Sequence, residues 1–289
     1  MDWQTDRRLT RRMSLALALS FLGYVVLLGP LICLLPPSAA MVLCGILIAV
    51  LGTLVLQADR LAYMATRAIA IERTDYPQLF DTVERLAAQA DMSRPPIAVI
   101  PSDEPNAMSA GTGNRTVVCV TLGLLKTLDD EQLEAVLAHE LAHVKNGDSS
   151  VLTVAGFPAT VGLAMLGSAL DSMNGLSFVL GYFGVAVFLA LVSLPLILVS
   201  LPGTLVLSRY REYAADRGAV AITGNPIALA EALGELHGLA EPPDTDMRSM
   251  AGFNAFCIVP SYYFGLPGTH PPTHKRIRKL RELAAEMER

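Results

Sequence analysis

His139, Glu140 and His143 stand in the order His-Glu-Leu-Ala-His. On a helix, positions i and i+4 share one face about one turn apart. Both imidazoles can then reach one Zn²⁺ at roughly 2.0–2.1 Å. Glu140 lies one residue round from His139, near enough to act on a water at the metal without being a ligand. This H-E-x-x-H pattern is that of metal-assisted peptide hydrolysis, with the glutamate as general base.

The element that must carry these residues is well specified. Asp129 is suited to N-cap a helix, with Gln132 as its capping-box partner. Leu133, Val136, Leu137, Leu141 and Val144 recur at helical spacing, and Asn146-Gly147 is a natural stop. The spacing therefore puts both histidines on a buried helix.

The surrounding chain is apolar. Of its 289 residues 52% are hydrophobic and 17% charged, and the mean hydropathy is +0.45. These values lean toward membrane-embedded segments. A net charge of −5 gives no general basic surface for nucleic acid. Cys33, Cys44, Cys119 and Cys257 are scattered without a C-x-x-C and read as small buried hydrophobes.

Ser14 to Leu35 and Ala39 to Leu56 are uncharged runs separated by Pro36-Pro37, and they read as a transmembrane hairpin. The first run is longer than the apolar core of a secretory signal. Polar, periodic sequence follows. A helix is expected near 58–71 and another after Pro77. Strands are expected at Ile97–Ile100, Asn106–Ala110 and Thr116–Thr121, the last two joined around Gly111-Thr112-Gly113-Asn114. The edge of such a sheet beside the metal helix either holds an extended peptide or is an ordinary hairpin.

A second apolar pair, Val151–Leu170 and Leu176–Leu207, follows the metal helix. Its length and lack of charge favour a transmembrane hairpin over a buried soluble one. Pro195 and Pro202 are expected to make the second run tilt, kink or leave the membrane early. Then come a helix-compatible segment at 208–217, a helix at 226–239, a polar linker at 241–246 and an irregular loop with an apolar tip at 247–268. A basic C-terminal helix opens after Thr269-His270-Pro271-Pro272. Basic residues cluster at 7–12, Arg60, Arg67, Lys145, Arg209, Arg211 and Arg217, and neither inter-helix tip holds Lys or Arg. The positive-inside rule then puts both termini and the polar part in the cytoplasm.

A catalytic zinc usually takes three protein ligands. The third is suggested by a resemblance. Glu212 to Asp216, in the setting Ser-Arg-x-x-Glu-Tyr-x-Ala-Asp, resembles the E-x-x-x-D segment of membrane metallopeptidases of the HtpX/Ste24 (M48) type. Its separation from the histidines by an apolar hairpin is similar too. Asn106-Ala107-Met108-Ser109-Ala110-Gly111 resembles that family's edge-strand motif, with Met108 where Phe is common and Ser109 where Ala is common. Thr269-His270-Pro271-Pro272 resembles its C-terminal motif. The match runs over residues 72–289, and an apolar hairpin at the start favours HtpX over Ste24, whose members have more spans.

The resemblance implies an α+β, mainly helical integral membrane protein. It would have about four transmembrane helices and a cytoplasmic gluzincin-type zinc peptidase domain with a small β-sheet. The expected division is an N-terminal hairpin at 1–57, a first peptidase part at 58–148, a second hairpin at 149–207 and a second peptidase part at 208–289. One Zn²⁺ per chain would be held by His139, His143 and Glu212, with Glu140 as base. Asp216 would orient His139, and His270 would stabilise the tetrahedral intermediate. Asn106, Ala107, Met108, Ser109 and Ala110 would bind the substrate. Implied partners are the lipid bilayer and polypeptide substrates, in stress-response quality control of misfolded or damaged membrane proteins. The implied location is the cell membrane, multi-pass. Two alternatives are a non-catalytic zinc scaffold or sensor, and processing of prenylated peptides. Asp148 either orients the metal helix or is a turn residue, and His237 and His274 match no motif.

Overall fold

The computed structural model describes residues 7–172, 183–239 and 270–289. The linker at 241–246, the loop at 247–268 and most of the second inter-helix tip lie outside the described residues. The chain forms two compact units, one built on Thr53–Ser150 and Ser208–Arg289, the other on Thr10–Gly52 and Val151–Leu207.

The second unit is helical. It holds most of α1 (Arg7–Leu34), α2 (Pro37–Leu56) and α7 (Asp148–Ser172), and the first part of α8 (Phe183–Thr223). All four helices are long and apolar enough to cross a membrane. Phe21 (70%), Ile48 (70%) and Leu198 (72%) are exposed, which suits a lipid solvent and argues against a buried soluble hairpin. Small residues let these helices approach closely. A Cβ at Gly162 would lie 2.9 Å from Ile197 Cγ1. Hydroxyls add bonds to main-chain carbonyls: Ser20 Oγ to Ala155 O at 2.7 Å and Tyr24 OH to Val154 O at 2.9 Å.

The helix α8 joins two segments that the sequence presents separately, the apolar run to Leu207 and the helix-compatible stretch at 208–217. Pro195 and Pro202 sit inside it, and it runs unbroken through residues 208–217 to Thr223. Each proline removes one N–H, and the helix ends only at Gly224, at φ 71°. One element therefore carries both the last apolar run and the Glu212–Asp216 segment.

The first unit packs helices on both faces of a four-stranded sheet ordered β1-β2-β4-β3. The helix α3 (Ala58–Thr66) ends earlier than expected, at Arg67 in the left-handed region. The chain then forms β1 (Ile69–Ala70), antiparallel to β2 (Ile97–Ile100). Next come α4 (Pro77–Gln89), β3 (Ala107–Thr112) and β4 (Arg115–Thr121). β2 pairs parallel with β4, and β3 antiparallel with it. Gly113, at φ 54°, is the first central residue of the two-residue hairpin turn, a place suited to glycine. On one face Ala98, Met108, Ala110, Val117 and Cys119 pack with Ala62 of α3. On the other, Ile97, Val99, Ala107, Val118 and Val120 share a core with Leu79, Val83 and Leu86 of α4 and Val136, Leu137 and Leu141.

Those last three belong to α6 (Asp130–Asn146), reached through the short α5 (Leu122–Thr127). The α6 ends are as the sequence predicts. Gln132 N–H donates to Asp129 Oδ1 (2.9 Å), Asp129 N–H donates to Gln132 Oε1 (3.2 Å), and Gly147 closes the helix at φ 66°. The unit is completed by α9 (Pro226–Leu239) and α10 (Thr273–Met287).

Candidate metal centre

The geometry begins with α6. His139 and His143 point the same way, with their Nε2 atoms 3.1 Å apart. Glu212, from α8, brings Oε2 to 3.6 Å from His139 Nε2 and Oε1 to 3.5 Å from His143 Nε2. Ligand atoms about 2.05 Å from a tetrahedral ion lie roughly 3.3 Å apart. The three side chains thus form a triangle of the right size, and all three are buried.

The charge balance also fits an ion. Glu140, Asp148, Glu212 and Asp216 are buried with two guanidiniums, Arg211 and Arg276. With neutral imidazoles the cluster is two positive charges short of neutrality, which a divalent cation supplies. Glu140 is 1% exposed, and its Oε2 has no hydrogen-bond partner among the described residues. Two nitrogen lone pairs, one carboxylate and a spare carboxylate oxygen make a donor set suited to a divalent metal.

Each imidazole is backed by a carboxylate. His139 Nδ1 lies 3.2 Å from Asp216 Oδ1, and His143 Nδ1 lies 2.7 Å from Asp148 Oδ2. Burial alone would lower the pKa of His143. The bonds and charges of Asp148 and Glu212 outweigh it and raise the pKa to about 9 in the metal-free protein. An incoming ion must displace that proton.

Sequence reasoning missed Arg276, from α10. It donates to Asp216 through Nη2 (2.6 Å) and Nε (3.0 Å), and its Nη1 is 3.0 Å from Glu212 Oε2. Burial opposes its charge, but Asp216 and Glu212 outweigh this and hold it ionised. Its signal was faint. On a helix full of Lys and Arg, only its helical spacing from buried Leu280 sets Arg276 apart. Lys279 over the Tyr213 ring, 3.8 Å from its centroid, adds a second contact between α10 and α8.

His270 is buried, with Nδ1 3.2 Å from Glu212 Oε2. His237 and His274 are exposed and outside the cluster. Of the sequence-predicted set, His139, His143, Glu212, Asp216 and His270 therefore come together, and Glu140 is buried next to His139 on α6.

The predicted substrate segment forms an edge. Thr121 N–H donates to Asn106 O (3.0 Å) and Asn106 N–H to Thr121 Oγ1 (2.8 Å). Antiparallel pairing alternates from there. Met108 and Ala110 turn their main-chain groups to β4, while Ala107, Ser109 and Gly111 turn theirs outward, where no described strand pairs. Two outward N–H groups are occupied: Ala107 donates to Asn106 Oδ1 (2.9 Å) and Gly111 to Ser149 Oγ (3.3 Å). Ser109 lies between them. A cavity of about 20 Å³, room for one water, adjoins Ser109, His143 and Asp148.

The model of Peptidase family M48 matches residues 74–284. The chain belongs to peptidase family M48. It is 38% identical to Protease HtpX homolog 1 of Streptomyces coelicolor, over 99% of this chain and 96% of that one. It is 37% identical to Protease HtpX homolog 2 of Methanosarcina acetivorans, over 99% and 98%. Among solved structures, S. mikatae Ste24p shares the fold at a TM-score of 0.51 and 18% identity. That alignment covers 93% of this chain and 64% of the Ste24p chain. The M48 protein is thus an HtpX-like membrane metallopeptidase, with a buried His-His-Glu cluster suited to its metal.

Proposed function

We propose that this M48 peptidase is a zinc endopeptidase that cuts misfolded or damaged membrane proteins, with its active site and both termini on the cytoplasmic side. The observation that carries the reading is Glu140. A buried carboxylate oxygen without a partner is costly unless something is to occupy the space before it. Next to a triangle of metal ligands, that something is a water to be deprotonated.

His139, His143 and Glu212 hold the ion. Bound there, zinc supplies a Lewis acid that polarises the scissile carbonyl and lowers the pKa of water toward about 7. Glu140 takes the proton of the attacking water and passes it to the leaving amine. Asp216 holds the ring of His139. His270, beside Glu212, stabilises the oxyanion. The substrate lies extended along Asn106–Ala110, exchanging main-chain hydrogen bonds centred on Ser109. Main-chain docking demands an unpaired, extended segment, which a misfolded protein offers and a folded one does not.

The cytoplasmic placement rests on the basic residues flanking the spans and their absence from the two tips. A zinc scaffold without turnover would have no use for Glu140. Processing of prenylated peptides fits less well with four candidate spans than with a many-helix chamber.

The test is Glu140→Gln in full-length protein in detergent. It should keep its zinc and lose cleavage of casein and of an unfolded membrane protein by on the order of 10²–10⁴-fold. Cleavage at the wild-type rate would overturn the mechanism.

A further inference from the structure

We propose that Asp148 and Arg211 are positioning residues for the metal centre, a counterpart on His143 to the Asp216–Arg276 pair on His139. The inference rests on the metal reading of His139, His143 and Glu212.

The local sequence explains how Asp148 reaches its place. Gly147 adopts a left-handed conformation, φ 66°, and ends α6. The chain turns at once into α7, whose first residue is Asp148. The turn brings the carboxylate back against the ring five residues earlier, Oδ2 to His143 Nδ1 at 2.7 Å. His143 Nδ1–H donates in that contact. The lone pair of Nε2, the atom 3.1 Å from His139 Nε2, is then left for the ion. A backbone turn needs no buried acid, yet Asp148 is 1% exposed.

Arg211 holds the other side of the same carboxylate. Its Nε lies 3.0 Å from Asp148 Oδ1, and Arg211 is itself 1% exposed. Its Nη2 also approaches His143 Nδ1, at 3.4 Å, but the 2.7 Å contact to Asp148 is the shorter and sets the tautomer. A buried cation at that distance from a buried anion balances the charge of the carboxylate that backs His143. Arg211 directly precedes Glu212 on α8. Adjacent helical residues point about 100° apart. One turn of α8 thus steadies one ligand, His143, through Arg211 and delivers another, Glu212, with the next residue.

The experiment uses metal-stripped full-length protein in detergent. Zinc affinity is measured by competition with a chromophoric chelator, and the cobalt(II)-loaded form by its visible absorption. Glu212→Ala is the control for the ligand set. Asp148→Asn and Arg211→Gln should bind zinc roughly 10–100-fold more weakly. They should also shift the cobalt bands, and Arg211→Lys should recover most of the affinity. Wild-type affinity and cobalt spectrum in Asp148→Asn would overturn the proposal. So would a failure of Arg211→Lys to bind better than Arg211→Gln. Should Arg211→Gln not fold, the near-isosteric Asp148→Asn decides alone. If instead Glu212→Ala keeps its metal, the ligand reading itself has failed, a separate outcome.

Discussion

The two units solve opposite problems. The sheet-containing unit buries charge: His139, Glu140, Asp148, Arg211, Glu212, Asp216 and Arg276 are all buried. The helical unit buries hydroxyls, such as Ser20 and Ser193, and shows large apolar side chains outward. In the first, a few strong interactions set positions, and each partner depends on the next. In the second, close approach of small residues and single hydroxyl bonds share the work. Disturbing one residue should therefore cost far more in the first unit than in the second.

The largest effect tests whether the charged cluster exists for an ion. Glu212→Ala should take metal content by mass spectrometry from one per chain to near zero. Peptidase activity should fall by on the order of 10³-fold or more. Next, Arg276→Met leaves Asp216 and Glu212 without their shared cation. Denaturant unfolding of the metal-free protein should show a loss of about 3–5 kcal/mol.

The proton on His143 gives the third test. Its pKa is raised, so below about 9 the metal-free site holds a proton that an ion must expel. Apparent zinc affinity should rise with pH, about tenfold per unit between roughly pH 6 and 8. A flat profile would show that His143 binds no proton in this range.

The helical unit should answer more mildly. Gly162→Val pushes a side chain toward Ile197 and should cost about 1–3 kcal/mol. Ser20→Ala removes one bond to Ala155 O and should cost roughly 0.6 kcal/mol, read as a small shift in thermal midpoint. If Ser20→Ala destabilised the protein as much as Arg276→Met, the contrast between the units would be broken.

The sequence made α6 legible because its signals are local. A capping box, a helical stripe and a Gly stop all lie within Asp129–Gly147. The apolar spans were legible for the same reason. The short strand β1 was not, because two residues become a strand only by pairing with β2. The end of α3 at Arg67 is equally non-local, since nothing in an arginine asks for the left-handed region. The sequence leaves open whether the apolar run and the stretch at 208–217 form one helix, because Pro195 and Pro202 each remove an N–H that a helix can still do without. In the site, His139, Glu140 and His143 carry their own spacing, and Glu212, Asp216 and His270 came through resemblance to a family. Arg211 and Arg276 carried neither, because a buried arginine reads in sequence like its solvated neighbours.

Arg211, Glu212 and Asp216 fall within six consecutive residues of one unbroken helix. Each further residue advances a helix by about 1.5 Å and turns it by about 100°. A single residue inserted into α8 between Glu212 and Asp216 would turn Asp216 about 100° away from His139 while Glu212 kept its place. The spacing of residues along that stretch is therefore as much a part of the candidate metal centre as the side chains themselves.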